Sequence, residues 1–405
     1  MRMHNPGIDR SRISPEFLQQ LVTPIEDVYD AIQRDLVVNI AKKLNIGAAL
    51  QGDAPFSVSW MSYMLQQTGG LSREHIAIIS SYSGSVSKAV QKAVRTAVAR
   101  SIEAVEPDLV KAVEDPGYVP AVSETTQRIM DAYEAQAIDR CNLVNTVMLE
   151  SSVREYETMV RDVERRYAAA QKVLNAETGS VVTGAKAANR ALRDAVTRMA
   201  DHGIPGFVDR RGREWTPQAY IEMDMRTTAA NVAREAAMRR NEDYGNHLIF
   251  VSSHPGARPL CEPWQGHVLS TDGTSGTAKD ANGVQHDFIP LESTSYGQPA
   301  GLFGINCGHM SFPFVAGRTT INWPEYDHEE TVRLYRESQE QRYMEREIRG
   351  HRLKADALAA AGDADGAKEY RRRARVATAE LRDWCVDHQR DFYPERTRIV
   401  RPAGR

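Results

Sequence analysis

The feature that most constrains this chain is a helix-period apolar stripe that recurs through its first half and breaks off after Gly203. From Ile25, apolar residues stand at Val28, Tyr29, Ile32, Leu36, Ile40 and Leu44, the three-to-four spacing of one helix face. Thr23-Pro24 offers an N-cap and a proline at the first helical position, and Gly47 a stop. A second stripe passes Val86, Val90, Ala93, Val94, Ala97, Val98 and Val105 and ends at Pro107. A third passes Ile129, Tyr133, Ile138, Val144, Met148, Tyr156, Val160, Val163 and Tyr167, with a kink expected near Ser151-Ser152. A fourth covers about Gly184 to Ala200. Between them lie Phe56–Trp60, readable as a strand or an irregular turn, and the loop signal Asp115-Pro116-Gly117.

Beyond Gly203 the texture changes. Two short runs around Gly212 (Phe207-Val208 and Glu214-Trp215) read as a hairpin, and Thr216-Pro217 opens a helix to about Asn241. Leu248-Ile249-Phe250-Val251 is β-prone, and His254 to Val315 is rich in Gly, Pro, His and Cys. After Trp323-Pro324 helical patterns return with few apolar positions, as in helices that bridge solvent or pack on a partner. The expected fold is mainly α with a small central α+β module, long N-terminal helices and polar C-terminal helices. Its divisions fall at 1–202, 203–320 and 321–405.

Composition excludes several classes. The 51 basic and 54 acidic residues leave a net charge of −3, without the basic excess of a dedicated nucleic-acid binder. No apolar run is long enough to span a bilayer, so no membrane partner is expected. Met1–Ser14 has no apolar signal core. Four scattered cysteines make no disulfide framework. The densest basic cluster, Arg371-Arg372-Arg373-Ala374-Arg375, lies among Asp363, Asp365, Glu369 and Glu380 and reads first as an ion-paired helix face. Tyr156, Tyr167 and Trp384 sit at core spacing.

Chemistry concentrates in one segment. Two of the four cysteines and five of the 11 histidines fall between His247 and His309. Cys261, His267, Cys307 and His309 form a candidate set for a closed structural zinc site, with His254 and His286 in reserve. Thiolate and imidazole are the donors that tetrahedral zinc prefers, although these spacings differ from the usual zinc knuckle. The alternative is buried cysteines with histidines bonded to loop backbone. Ser253, His254, Glu262 and Asp287 could serve hydrolysis, but no Gly-x-Ser-x-Gly, His-Glu-x-x-His or phosphate-loop motif accompanies them. Gly297, Gly301 and Gly304 lack the strand and helix of a dinucleotide fingerprint and read as turn residues. No catalytic residue and no organic cofactor is assigned.

The block Ser253-His254-Pro255-Gly256-Ala257-Arg258-Pro259, Cys261 and Pro263-Trp264-Gln265-Gly266 resembles the tailed-phage minor capsid protein 2 family, as do Tyr296-Gly297, Pro299 to Cys307 and Pro313-Phe314. Tyr220 to Thr227, Gln341-Arg342, Glu345-Arg346, Ile348-Arg349 and the helical start near Ile13-Ser14-Pro15 extend the likeness to about 13–395. The related MuF-like minor head proteins carry a His, a Cys and a Cys/His corner, which fall here on His254, Cys261, Cys307 and His309. Gly308 stands where relatives often carry a basic residue, so no cation is expected to reach DNA from that point. The resemblance implies a non-enzymatic structural protein of the virion, inside the capsid or at the portal vertex, assembled in the host cytoplasm. It also implies the portal, the major capsid protein or a scaffolding protein as partners, with packaged DNA secondary. The rival is an enzyme delivered by the virion.

Overall fold

The structure, a computed structural model, describes residues 13–44, 63–110, 113, 119–176, 181–208, 212, 214–321 and 324–400. Phe56–Trp60, Gly47, Asp115-Pro116-Gly117 and the side chain of Tyr167 lie outside the described residues. The helices are α1 (Pro15–Leu44), α2 (Thr68–Val110), α3 (Glu124–Ala176), α4 (Val181–His202), α5 (Pro217–Asp243), α6 (His328–Ala360) and α7 (Ala364–Asp387). The strands are β1 (Phe207–Val208), β2 (Glu214–Trp215), β3 (Leu248–Val251), β4 (Val268–Ser270), β5 (Gly276–Lys279), β6 (Gln285–Pro290) and β7 (Ser311–Pro313). The fold is mainly α with a small α+β module, as the pattern predicts. No described helix is long and apolar enough to cross a membrane.

Capping chemistry sets the helix starts. α1 begins eight residues before Thr23, because Ser14 Oγ accepts the Phe17 N–H (3.1 Å) and Pro15 takes the first position. The expected start at Thr23-Pro24 is therefore corrected. Thr23 donates its hydroxyl back to the Gln19 carbonyl (2.8 Å), and Pro24 lies within the helix. Likewise Pro107 falls inside α2 rather than after it. α3 runs unbroken through Ser151-Ser152. α5 opens where expected, with Thr216 Oγ1 accepting the Ala219 N–H (3.2 Å).

By compactness the described chain groups into two units. One comprises 13–25, 86–140 and 222–339; the other comprises 26–85, 141–221 and 340–400.

The first unit contains a five-stranded sheet in the order β5-β6-β4-β3-β7. Only the β4–β6 pair is parallel. Alternation along β3 sends Ile249 and Val251 into a core with Leu269, Leu291, Leu302 and Phe303, where Met238 of α5 also packs. Phe250 takes the other face and stacks on Phe312, 5.5 Å between centroids. α2 and α5 are fastened by the buried Arg240, which donates to Glu106 (2.7 Å) and to the Pro120 carbonyl (2.8 Å) while Tyr244 also donates to Glu106 (2.6 Å).

The second unit buries the predicted stripes of α1 (Tyr29, Ile32, Leu36, Ile40) and α3 (Val144, Met148, Tyr156, Val160, Val163). Tyr29 donates to the Cys141 carbonyl (3.1 Å). A smaller cluster joins Ile348 of α6 with Leu381 and Cys385 of α7, and Trp384 packs on it. On α7, Arg372 and Arg373 each donate to Glu369 at 2.9 Å, the ion-paired face that the sequence suggests.

Candidate functional site

Three of the four zinc candidates come together in the first unit. Cys261 precedes a single 3-10 turn (Glu262–Trp264), Cys307 follows the Gly-rich loop, and His309 leads into β7. Cys261 Sγ lies 3.8 Å from Cys307 Sγ, and Cys307 Sγ lies 3.4 Å from His309 Nδ1. All three residues are buried, and their donor atoms lie within 4.8 Å of one another. His267 is not brought in. Its Nδ1 donates to the Gln265 carbonyl (3.2 Å), and its exposed ring meets Trp264 edge-on. His286 is turned to Asp280. His254 covers the face of His309, 4.2 Å between ring centroids.

Surrounding groups orient this cluster, and sequence reasoning missed two of them. Gln265 Oε1 accepts the His254 backbone N–H (2.7 Å), which fixes the amide with its oxygen inward. His309 Nε2, 3.1 Å from that oxygen, must therefore donate. Arg234 is fully buried over the Phe303 ring and donates to the His309 carbonyl (3.1 Å), the Phe303 carbonyl (3.2 Å) and Asn231. Gln265 stands in the block that resembles the family, but nothing local marks its role. Arg234 had a signal, a lone Arg among Ala229, Ala230, Val232, Ala233, Ala236 and Ala237, all of them buried.

Electrostatics set the two sulfurs apart. Cys307 is held well below the ordinary thiol range by the hydrogen bond from Cys261, with Arg234 adding to it. Cys261 is pushed up by that same hydrogen bond and by burial. Burial pushes the Arg234 pKa down, yet a guanidinium stays charged.

The other predicted groups stand apart. Glu262 accepts from His328 Nδ1 (2.7 Å), and Asp287 is exposed on β6. At Gly308 an added Cβ would come within 3.2 Å of His254 Nε2, so the site itself leaves little room for a side chain there.

A five-stranded sheet with a buried Cys/Cys/His corner thus defines the site. The chain matches the Phage minor capsid protein 2 family over residues 13–386 and belongs to that family. It is similar to a "Structural protein" of Lactococcus phage LL-H, 29% identical over 346 residues, covering 83% of this chain and 86% of the relative. It is also similar to a "Structural protein" of Lactococcus phage mv4, 46% identical over 54 residues, which is 13% of this chain and 44% of the relative. No solved structure matches.

Proposed function

We infer that the chain is a non-catalytic minor head protein of a tailed phage, carried on the inner capsid or at the portal vertex, where it assists head assembly, DNA packaging or DNA exit. The observation that carries this reading is membership of the minor capsid family along almost the whole chain. Two features support it. Two arginines of the α7 cluster, Arg372 and Arg373, pair with Glu369, and the net charge is −3, so packaged DNA is a secondary partner. The polar faces of α6 and α7 suit contact with the portal, the major capsid protein or a scaffolding protein.

Co-sedimentation with phage heads and purified portal, read by quantitative mass spectrometry, tests this. A fixed, low stoichiometry to portal is expected. A protein that sediments with neither is not a minor head protein.

A further inference from the structure

We propose that Cys261, Cys307 and His309 bind one thiophilic divalent cation, zinc by donor chemistry, through two sulfurs and an imidazole nitrogen, with the fourth coordination position left to a non-protein ligand. The site is independent of the virion role.

The distances carry the argument. A tetrahedral zinc with Zn–S of about 2.3 Å and Zn–N of about 2.0–2.1 Å places sulfurs about 3.8 Å apart and sulfur about 3.6 Å from nitrogen. The structure holds the two sulfurs at 3.8 Å and Cys307 Sγ to His309 Nδ1 at 3.4 Å, with all three donor atoms within 4.8 Å of one another. In the neutral ring, a donor at His309 Nε2 leaves the Nδ1 lone pair turned toward Cys307. Three donor atoms thus converge in a buried space. One proton serves one pair; a cation serves all three.

Four further features fit a metal. Gln265 holds His309 as an outer carbonyl holds a ligating histidine, selecting the tautomer and the ring orientation. Both sulfurs also receive N–H donors, Phe303 N–H to Cys307 (3.3 Å) and Arg258 Nη2 to Cys261 (3.6 Å), as thiolate ligands do. Phe303 in the turn before Cys307, and Asn306 adjacent to it, hold positive φ (58° and 55°), a backbone conformation that a cross-link would help maintain. Finally, the donors join loops 46 residues apart that have little regular structure of their own. With His267 outside the cluster, these residues supply three ligands rather than the four expected from sequence.

The test uses the full chain. Wild-type protein purified with zinc should hold one zinc per chain by elemental analysis. After exchange with Co(II), it should show a sulfur-to-cobalt charge-transfer band and the intense visible bands of a tetrahedral site. His267→Ala should retain both signals. Cys307→Ser should lose both. Because Cys307→Ser could fail to fold, Gln265→Ala provides a second variant, expected to stay folded and bind about 10- to 100-fold more weakly. Wild type that takes up neither zinc nor Co(II), loss of metal in His267→Ala, or a mass two hydrogens lighter that marks a Cys261–Cys307 disulfide in native protein would each overturn the proposal.

Discussion

Gly301 shows how one residue type serves different ends. The sequence marks Gly297, Gly301 and Gly304 alike as turn residues. In the structure Gly297 is needed for its φ of +82° with open space around it, whereas a Cβ at Gly301 would overlap the Ser295 carbonyl oxygen. Backbone cannot yield as a flexible side chain can. Gly301→Ala is therefore expected to destabilise by about 3 kcal/mol, the upper end of overpacking costs. Gly297→Ala should cost about 1 kcal/mol for a left-handed alanine. Urea unfolding of the two variants checks the order, and equal costs would refute the steric account. The same limit governed the site. Cys261, Cys307 and His309 were legible because residue types cluster along the chain. His267 could not be separated from them, since spacing does not say which way a loop turns after Trp264.

At the scale of elements, stripes were legible and ends less so. Apolar spacing identifies α1 and α3 because burial demands one continuous face, while a start depends on which of two Ser/Thr-Pro pairs finds an N–H to cap. Ser14-Pro15 did; Thr23-Pro24 did not. α7 is capped by a residue with two duties. Asp363 accepts the Gly366 N–H (2.9 Å) and a two-pronged grip from Arg193, one prong at 2.8 Å. The aspartate is nearly fully buried while the arginine is half exposed. Asp363→Ala removes the cap and the charge partner together and should cost about 2 kcal/mol. Asp363→Asn keeps a capping oxygen and should cost less than half as much. Thermal unfolding of both variants, with Arg193→Ala to close a double-mutant cycle, separates the two duties. Equal losses in Ala and Asn would assign everything to the ion pair.

Across the whole molecule, the chain passes between its two units at 25/26, 85/86, 140/141, 221/222 and 339/340, each time inside a helix. Local texture records composition, whereas this grouping depends on which distant stretches pack together. Deleting the polar end from 325 onward would remove parts of both units, so point changes are the cleaner probe. His75 offers one for the second unit. It is fully buried, and its Nδ1 lies 2.7 Å from Ser152 Oγ. Ser152 spends its own proton on the Leu149 carbonyl (2.9 Å), so His75 Nδ1 donates and the buried Nε2 meets no partner among the described residues. Burial, aided by Lys43 and opposed by Glu74, lowers its pKa to about 4 from 6.5. Between those values the unfolded chain takes up a proton that the folded chain refuses. The stability contribution is therefore complete above pH 6.5 and is lost as the pH falls toward 4. At pH 5 the loss should be about 2 kcal/mol relative to pH 7.5. Asp27, Glu155 and Glu345, raised by burial, push the other way, and His351, lowered by burial, pushes the same way. The difference between wild type and His75→Leu isolates the one histidine. Hydrogen exchange of amides in 68–85 and 141–160, measured at both pH values, should show the acid loss of protection in wild type and a markedly flatter response in His75→Leu. Parallel responses would mean that folded His75 accepts its proton at an ordinary pH, and that the buried Nε2 has found an acceptor.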